Sequence, residues 1–240
     1  MPLARSRLLR TCRYALSFDG VNDYVEVPHS NSLQLTSEMT LMAWIYPKSW
    51  VKPGTADESV IIAKYYQYWM MFNNPGGLRF RIHDGTHLYE ACTPTNLMSL
   101  NNWYFIAATF DRPTVYIYIN NVRYGPYTLN YSAWQRTNPV RVGAWTPTLN
   151  QIYGLIGEAR IYSRALSQDE ILWNYNNPDN PVWNGLVLWL PGLDEYIQPP
   201  TWKDRSPFGN NGTIYDATKT EIILKSVRSQ SPIRIQSPVR

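Results

Sequence analysis

Leu78, Phe80 and Ile82 alternate with Arg79, Arg81 and His83, and this strict period of two most limits what the chain can become. Successive side chains of an extended strand leave opposite faces, so such a run buries one face and wets the other. Asp84-Gly85 follows at once and marks a hairpin, read as a type I′ turn because that turn needs positive φ at both central positions. Leu88–Cys92 is the expected returning strand.

The same pattern of short apolar runs broken by turn residues extends from Tyr14 onward. Ala15–Phe18 leads into Asp19-Gly20, Tyr24, Val25 and Val27 resume before Pro28, and Thr40–Tyr46 is closed by Pro47. Trp50–Ser59, with Pro53 and Gly54, reads as a loop. Val60–Lys64 and Tyr65–Phe72 predict strands, followed by a turn at Asn73-Asn74-Pro75-Gly76-Gly77. Trp103–Phe110 and Val115–Ile119 predict a pair around Asp111-Arg112-Pro113, and Val140–Val142 and Leu155–Tyr162 complete the central set. One helix is predicted: Ser167 caps it, Glu170 three residues on closes a capping box, and Ile171, Leu172 and Tyr175 form its apolar face before Asn176-Asn177-Pro178. Strands at Leu186–Leu190 and Gly212–Tyr215 follow, separated by a long loop through Pro199-Pro200. Aromatic residues at 14% against charged residues at 17% suit half-buried pleated surfaces better than a helical bundle. The expected fold is therefore all-β, a two-sheet antiparallel sandwich with one short helix, and 240 residues suffice for one such domain.

Charge sets the two ends apart. Arg5, Arg7, Arg10 and Arg13 precede any acid, and Lys225, Arg228, Arg234 and Arg240 follow the last one. The chain carries +4 overall, so the body between these eight charges is net negative. This divides the chain into a basic arm at 1–13, a sandwich at 14–224 and a Ser-, Pro- and Arg-rich arm at 225–240. The arms read either as solubilising tails or as contacts to phosphate or a neighbouring subunit; nucleic acid held that way would be released by salt. Two cysteines, Cys12 and Cys92, exclude a disulfide scaffold and a zinc site, leaving one bridge or two thiols. No apolar run approaches the roughly 20 residues of a membrane span. The first residues lack the apolar stretch of a secretory signal, so either a signal lies outside this sequence or the protein is not exported by that route.

Five segments in order carry a family likeness: Ala15–Val25, Thr40–Ile45, Trp103–Asp111, Val115–Asn120 and Gly157–Ser167. Together they resemble the laminin-G-like jelly-roll domains of the concanavalin A superfamily. One feature departs from that order. Gly185–Leu190 and Asp204–Thr213 look like the opening strands of such a domain, yet follow its end. Circular permutation, exchange of these strands with the next subunit, and excision of one unit from a longer array are three explanations.

The resemblance implies a structural calcium at Asp19, Glu158, Asp204 and Asn211, since a hard cation takes several loop oxygens. The same residue types form turns for local reasons. Trp50, Trp69, Trp134, Trp145 and Trp202 lie in or near predicted loops and strand ends and are candidate ligand or interface aromatics. His83 and His87 flank the predicted turn and read as a surface pair. Asn130-Tyr131-Ser132 and Asn211-Gly212-Thr213 match the glycosylation sequon. Motifs for acyl transfer, metalloprotease or phosphate chemistry are missing, and the acids Glu58, Glu90, Glu158, Asp194 and Glu195 are scattered rather than set as a hydrolytic pair. The expectation is a non-enzymatic assembly subunit of the coat or surface-layer kind, self-associating through its arms in a virion or at an extracellular surface. Its alternative is a secreted or cell-surface module that binds carbohydrate.

Overall fold

The computed structural model describes residues 12–223, with the side chains of Cys12, Arg13 and Ile223 excepted. Arg5, Arg7, Arg10, Lys225, Arg228, Arg234 and Arg240 lie outside the described residues, as do the Arg13 guanidinium and the Cys12 thiol.

In chain order the strands are β1 (Cys12–Asp19), β2 (Tyr24–Val27), β3 (Glu38–Pro47), β4 (Val60–Lys64), β5 (Tyr68–Asn73), β6 (Gly77–His83) and β7 (Leu88–Cys92). They continue with β8 (Tyr104–Asp111), β9 (Thr114–Ile119), β10 (Val122–Thr128), β11 (Val140–Val142) and β12 (Tyr153–Tyr162). After α1 (Gln168–Asn176) come β13 (Leu186–Leu190), β14 (Ile197–Gln198), β15 (Thr201–Trp202), β16 (Gly212–Tyr215) and β17 (Thr218–Ile223). The first sheet runs β10-β9-β8-β3-β12-β1-β17, with β13 also on β12; the second runs β14-β15-β16-β2-β11-β4-β5-β6-β7. Every pairing is antiparallel, and the expected two-sheet jelly-roll sandwich is the fold observed. The inner halves of the alternating strands meet in one core. There Leu41, Ile106 and Phe110 of the first sheet face Met70, Phe72 and Phe80 of the second, with the Phe80 and Phe110 rings 5.9 Å apart.

The displaced segments pair inside their own chain. β13 and β1 lie end to end along one edge of β12, with Leu190 opposite Ala159 and Leu16 opposite Ile156. The changeover is sealed where Tyr14 N–H donates to the Gly192 carbonyl. A Cβ on Gly192 would collide with the carbonyls of Gly157 and Tyr14, so only glycine fits this approach. β16 adds to β2, and β17 adds to β1 with Cys12 opposite Ile223. First and last described strands are thus antiparallel neighbours in one sheet.

The outer face of the first sheet is covered by α1 and the chain after it. Ser167 Oγ accepts the Glu170 N–H while the Glu170 carboxylate accepts the Ser167 N–H, the predicted capping box. Ile171 packs on Met42, Trp44, Tyr162, Leu186 and Trp189. Beneath it Arg160, fully buried, pairs with Glu158 at 2.9 Å, donates to Asn174 and to the Pro178 carbonyl, and lies against the Trp189 ring. Tyr116 and Tyr118 take this face, opposite Val115 and Ile117, as their alternation predicts.

Sequence and structure part at several places. The Asp84 hairpin has a four-residue loop, because His83 pairs with Leu88 and only Gly85, at φ 104°, adopts positive φ. The Asp84 carboxylate instead accepts the Thr86 and His87 N–H groups, making the turn with its side chain. Tyr65 leaves the predicted strand for a tight turn, and β1 begins at Cys12, inside the expected arm. β10 and β17 carry no predicted strand.

Candidate functional site

Among the described residues no helix crosses the outer face of the second sheet. Register places one row of side chains there: Thr213, Glu26, Arg141, Ala63, Trp69, Arg81 and Glu90, each opposite the next. Ala63 is the small member at the centre, and Trp145, from the loop after β11, packs against Val60, Ala63, Trp69 and Met71. The Trp69 and Trp145 rings lie 4.4 Å apart, and Tyr65 and Tyr66 approach Trp145 at 5.0 and 5.5 Å. Tyr66, Trp69 and Trp145, together with Arg81, His83, Leu88 and Asn150, line an open cleft of about 430 Å³, within the range of small-ligand sites.

The aromatic wall is held by strain and anchors. Tyr66 sits at φ 51° in the turn between β4 and β5, a conformation that costs a bulky residue roughly 1–3 kcal/mol and persists only where the surroundings enforce it. Here Gln67 enforces it: its N–H donates to the Lys64 carbonyl, its buried amide donates to the Leu35 carbonyl at 2.7 Å, and its carbonyl accepts the His83 N–H. Tyr66 consequently stays 40% exposed with its ring 5.1 Å from that of His83, whereas Trp69 is 5% exposed at the floor. His83 Nδ1 accepts the Gly85 N–H, leaving Nε2 as the donor.

Charged groups flank the rings in matched pairs. Arg81 contacts Glu90 at 2.7 Å and donates to Met71 Sδ; Arg79 contacts Glu58 at 2.5 Å, donates to Asn73 Oδ1 and lies 3.6 Å from Glu90. At the far end of the row Arg141 places two nitrogens on Glu26. Partial burial works to raise the Glu90 pKa, but hydrogen bonding and charge from Arg81, with the charge of Arg79, bring it below its ordinary value. Glu58 also accepts the Asn74 N–H. A glycosidase needs one protonated and one ionised carboxyl at fixed separation; these two serve as acceptors for arginine instead.

Of the five candidate tryptophans, three belong to this face or its rim. Trp69 and Trp145 form the cleft. Trp134, 43% exposed, packs on Gly85 at the hairpin tip, is stacked by Arg136, and donates its N–H to the His83 carbonyl. Trp50, partly buried, packs against the core, and Trp202 belongs to it. Trp50 meets Phe72 edge-on at 5.1 Å, and fully buried Trp202 satisfies its indole on the Pro191 carbonyl.

The proposed calcium ligands do not assemble. Glu158 lies under α1, committed to Arg160 and the Trp189 indole. Asp19, opposite Tyr153, sits five positions back along β12, about 16 Å away at strand rise. Its N–H is accepted by Asp23, and the charges of Asp19 and Asp216 add to the burial that raises the Asp23 pKa. Only Asp204 and Asn211 meet. Asp204 accepts the N–H groups of Trp189, Ser206 and Asn210, and Asn211 Oδ1 accepts the Asp204 N–H, so their oxygens brace the loop. Among the described residues no three His, Cys, Asp or Glu side chains are grouped to hold a metal ion. His83 and His87 both serve the hairpin, His87 through its N–H to Asp84.

Sequence reasoning passed over Tyr65, Tyr66, Arg79, Arg81, Glu58 and Glu90 as site residues. A signal for the arginines was present: they are the outward half of the alternation in β6.

A family model described as the concanavalin A-like lectin/glucanases superfamily, of the laminin G type, matches residues 19–172. No curated protein sequence matches the chain. A candidate carbohydrate-binding protein of Bacteroides ovatus ATCC 8483 superposes with a TM-score of 0.64 at 18% identity over 88% of this chain, which spans 60% of that protein. Domain 4 of AbnA, a GH43 extracellular arabinanase of Geobacillus stearothermophilus in complex with arabinotriose, gives 0.52 at 20% identity over 66% of this chain and 74% of its own. A heptameric SAP-like pentraxin of Limulus polyphemus gives 0.51 at 13% identity over 88% and 92%. At these identities the likeness is one of fold.

Proposed function

The chain belongs to the laminin G-like family of the concanavalin A-like lectin/glucanases superfamily, and from that premise we propose that it is a glycan-binding module that uses the cleft beside Trp69 and Trp145. The observation that carries this reading is an open aromatic cleft on rigid strands, flanked by hydrogen-bonding groups of both kinds. A sugar ring has apolar C–H faces that stack on indole and phenol. Its rim of hydroxyls each donates and accepts, which Arg81, Glu90, Asn150 and His83 can answer. Groups fixed by ion pairs and strand register lose little freedom on binding. An extracellular setting belongs to this same proposal.

The expectation of an assembly subunit rests on a single domain, a missing signal, basic arms and out-of-order strands. Those strands complete their own chain's sheets, and the arms lie outside the described residues.

A glycan array followed by calorimetry on wild type and Trp145→Ala tests the proposal. Removing a central indole is expected to weaken binding about thirtyfold, about 2 kcal/mol, with thermal stability close to wild type. Silence of the wild type across both neutral and acidic glycans would overturn the proposal.

A further inference from the structure

Resting on the glycan reading, we infer that the cleft is built for uncharged glycans and rejects those bearing carboxylate or sulfate. Arg79, Arg81 and Arg141 are the arginines that register places on this face, and each already holds a glutamate: Glu58 at 2.5 Å, Glu90 at 2.7 Å and Glu26 at 2.8 Å. The partners stand on neighbouring strands or on the adjoining loop, so the pairing is fixed by the sheet rather than chosen by flexible side chains. On the rim, Lys52 donates to the Thr148 carbonyl, with Asp57 in the same loop. No sign of charge dominates the face.

An acidic sugar reaching for Arg81, the arginine that lines this cleft, has two routes, and both fail. Displacing Glu90 from Arg81 leaves that carboxylate only the longer contact to Arg79, which already holds Glu58. Binding without displacement sets the ligand's charge next to Glu90, the partner of Arg81, and like charges in a partly dried cleft repel. A hydroxyl pair faces no such conflict, because it accepts from a guanidinium and donates to a carboxylate without breaking the pair.

Calorimetry at low and high salt with neutral polysaccharides (a glucan, a mannan, an arabinan) and acidic ones (polygalacturonate, heparin) tests this. Wild type is expected to bind within the neutral set, with little salt dependence, and weakly but measurably, at least about tenfold less tightly, within the acidic set. Glu90→Gln frees Arg81 and is expected to raise affinity for the acidic set at low salt by about tenfold, the worth of one charge-assisted hydrogen bond. The Glu90 side chain is 41% exposed on the edge strand β7, which favours a folded variant; Glu58→Gln, which frees Arg79, serves if it does not fold. Acidic glycans bound by wild type as tightly as neutral ones would overturn the inference and leave the glycan reading standing. So would neutral binding by wild type with no acidic gain in either folded variant. Silence toward both sets removes the glycan reading and this inference with it.

Discussion

The two outer faces of the sandwich are made from the same residue types, tryptophan and tyrosine beside arginine–glutamate pairs, and differ in what lies over them. On the first sheet Arg160 and Glu158 are 0% and 2% exposed at the side chain, roofed by α1; on the second, Arg81 and Glu90 are 20% and 41% exposed and face the cleft. Burial turns the first pair into an internal strut whose removal strands a charge. Exposure turns the second into a surface that water, or a hydroxylated ligand, can address. Composition alone does not distinguish the two; the helix does.

The sharpest way to break this comparison is to make one substitution on both faces. Arg160→Met leaves Glu158 buried without its guanidinium and is expected to cost about 3–5 kcal/mol in urea unfolding. Replacing both partners, Arg160→Met with Glu158→Leu, is expected to recover most of that loss. An unchanged unfolding midpoint for the single variant would show that the covered pair is not a strut. Next in size is the roof itself: Ser167→Ala removes the cap of α1 and is expected to cost about 1 kcal/mol, read as a lower melting temperature with glycan affinity intact. Arg81→Met on the open face is expected to cost less, about 0.5 kcal/mol, because water screens the pair and solvates the glutamate left behind. Its effect belongs in binding, and a stability loss equal to that of Arg160→Met would erase the distinction between the faces.

How much of this was legible in the sequence follows from the same contrast. Alternation in β6 and the Ser167–Glu170 box are local signals, and both structures form where they predict. Alternation says that Arg79 and Arg81 share a face with each other; it does not say whether a helix covers that face, so the cleft stayed hidden. Trp50 and Trp202 sit in or beside segments too short to alternate, a loop and a two-residue strand, and their burial is decided by tertiary packing. β10 is largely exposed and contains Gly125-Pro126, and β17 begins Thr-Lys-Thr-Glu; edge strands of this kind show no apolar period and escaped prediction. The family resemblance put Asp204 and Asn211 in one loop as cation ligands, but turn geometry is itself what uses their oxygens.

The smallest expected effect sharpens the comparison through pH. Arg164 holds the Glu170 carboxylate against the start of α1, with two nitrogens on its two oxygens. Hydrogen bonding from Arg164 outweighs partial burial, and the Ser167 N–H adds to it, bringing the Glu170 pKa from 4.5 down to about 2. A carboxylate whose pKa is depressed on folding adds stability that is complete above its unfolded value and is lost as pH falls through the folded one. The roof should therefore loosen between about pH 4.5 and pH 2. Because the pair is part-exposed, salt should shrink the effect. Glu170→Gln is expected to be slightly less stable than wild type at neutral pH and to converge with it as the medium is acidified, in paired thermal melts. A constant gap across that range would mean that Glu170 secures the helix through the geometry of its capping bond rather than its charge.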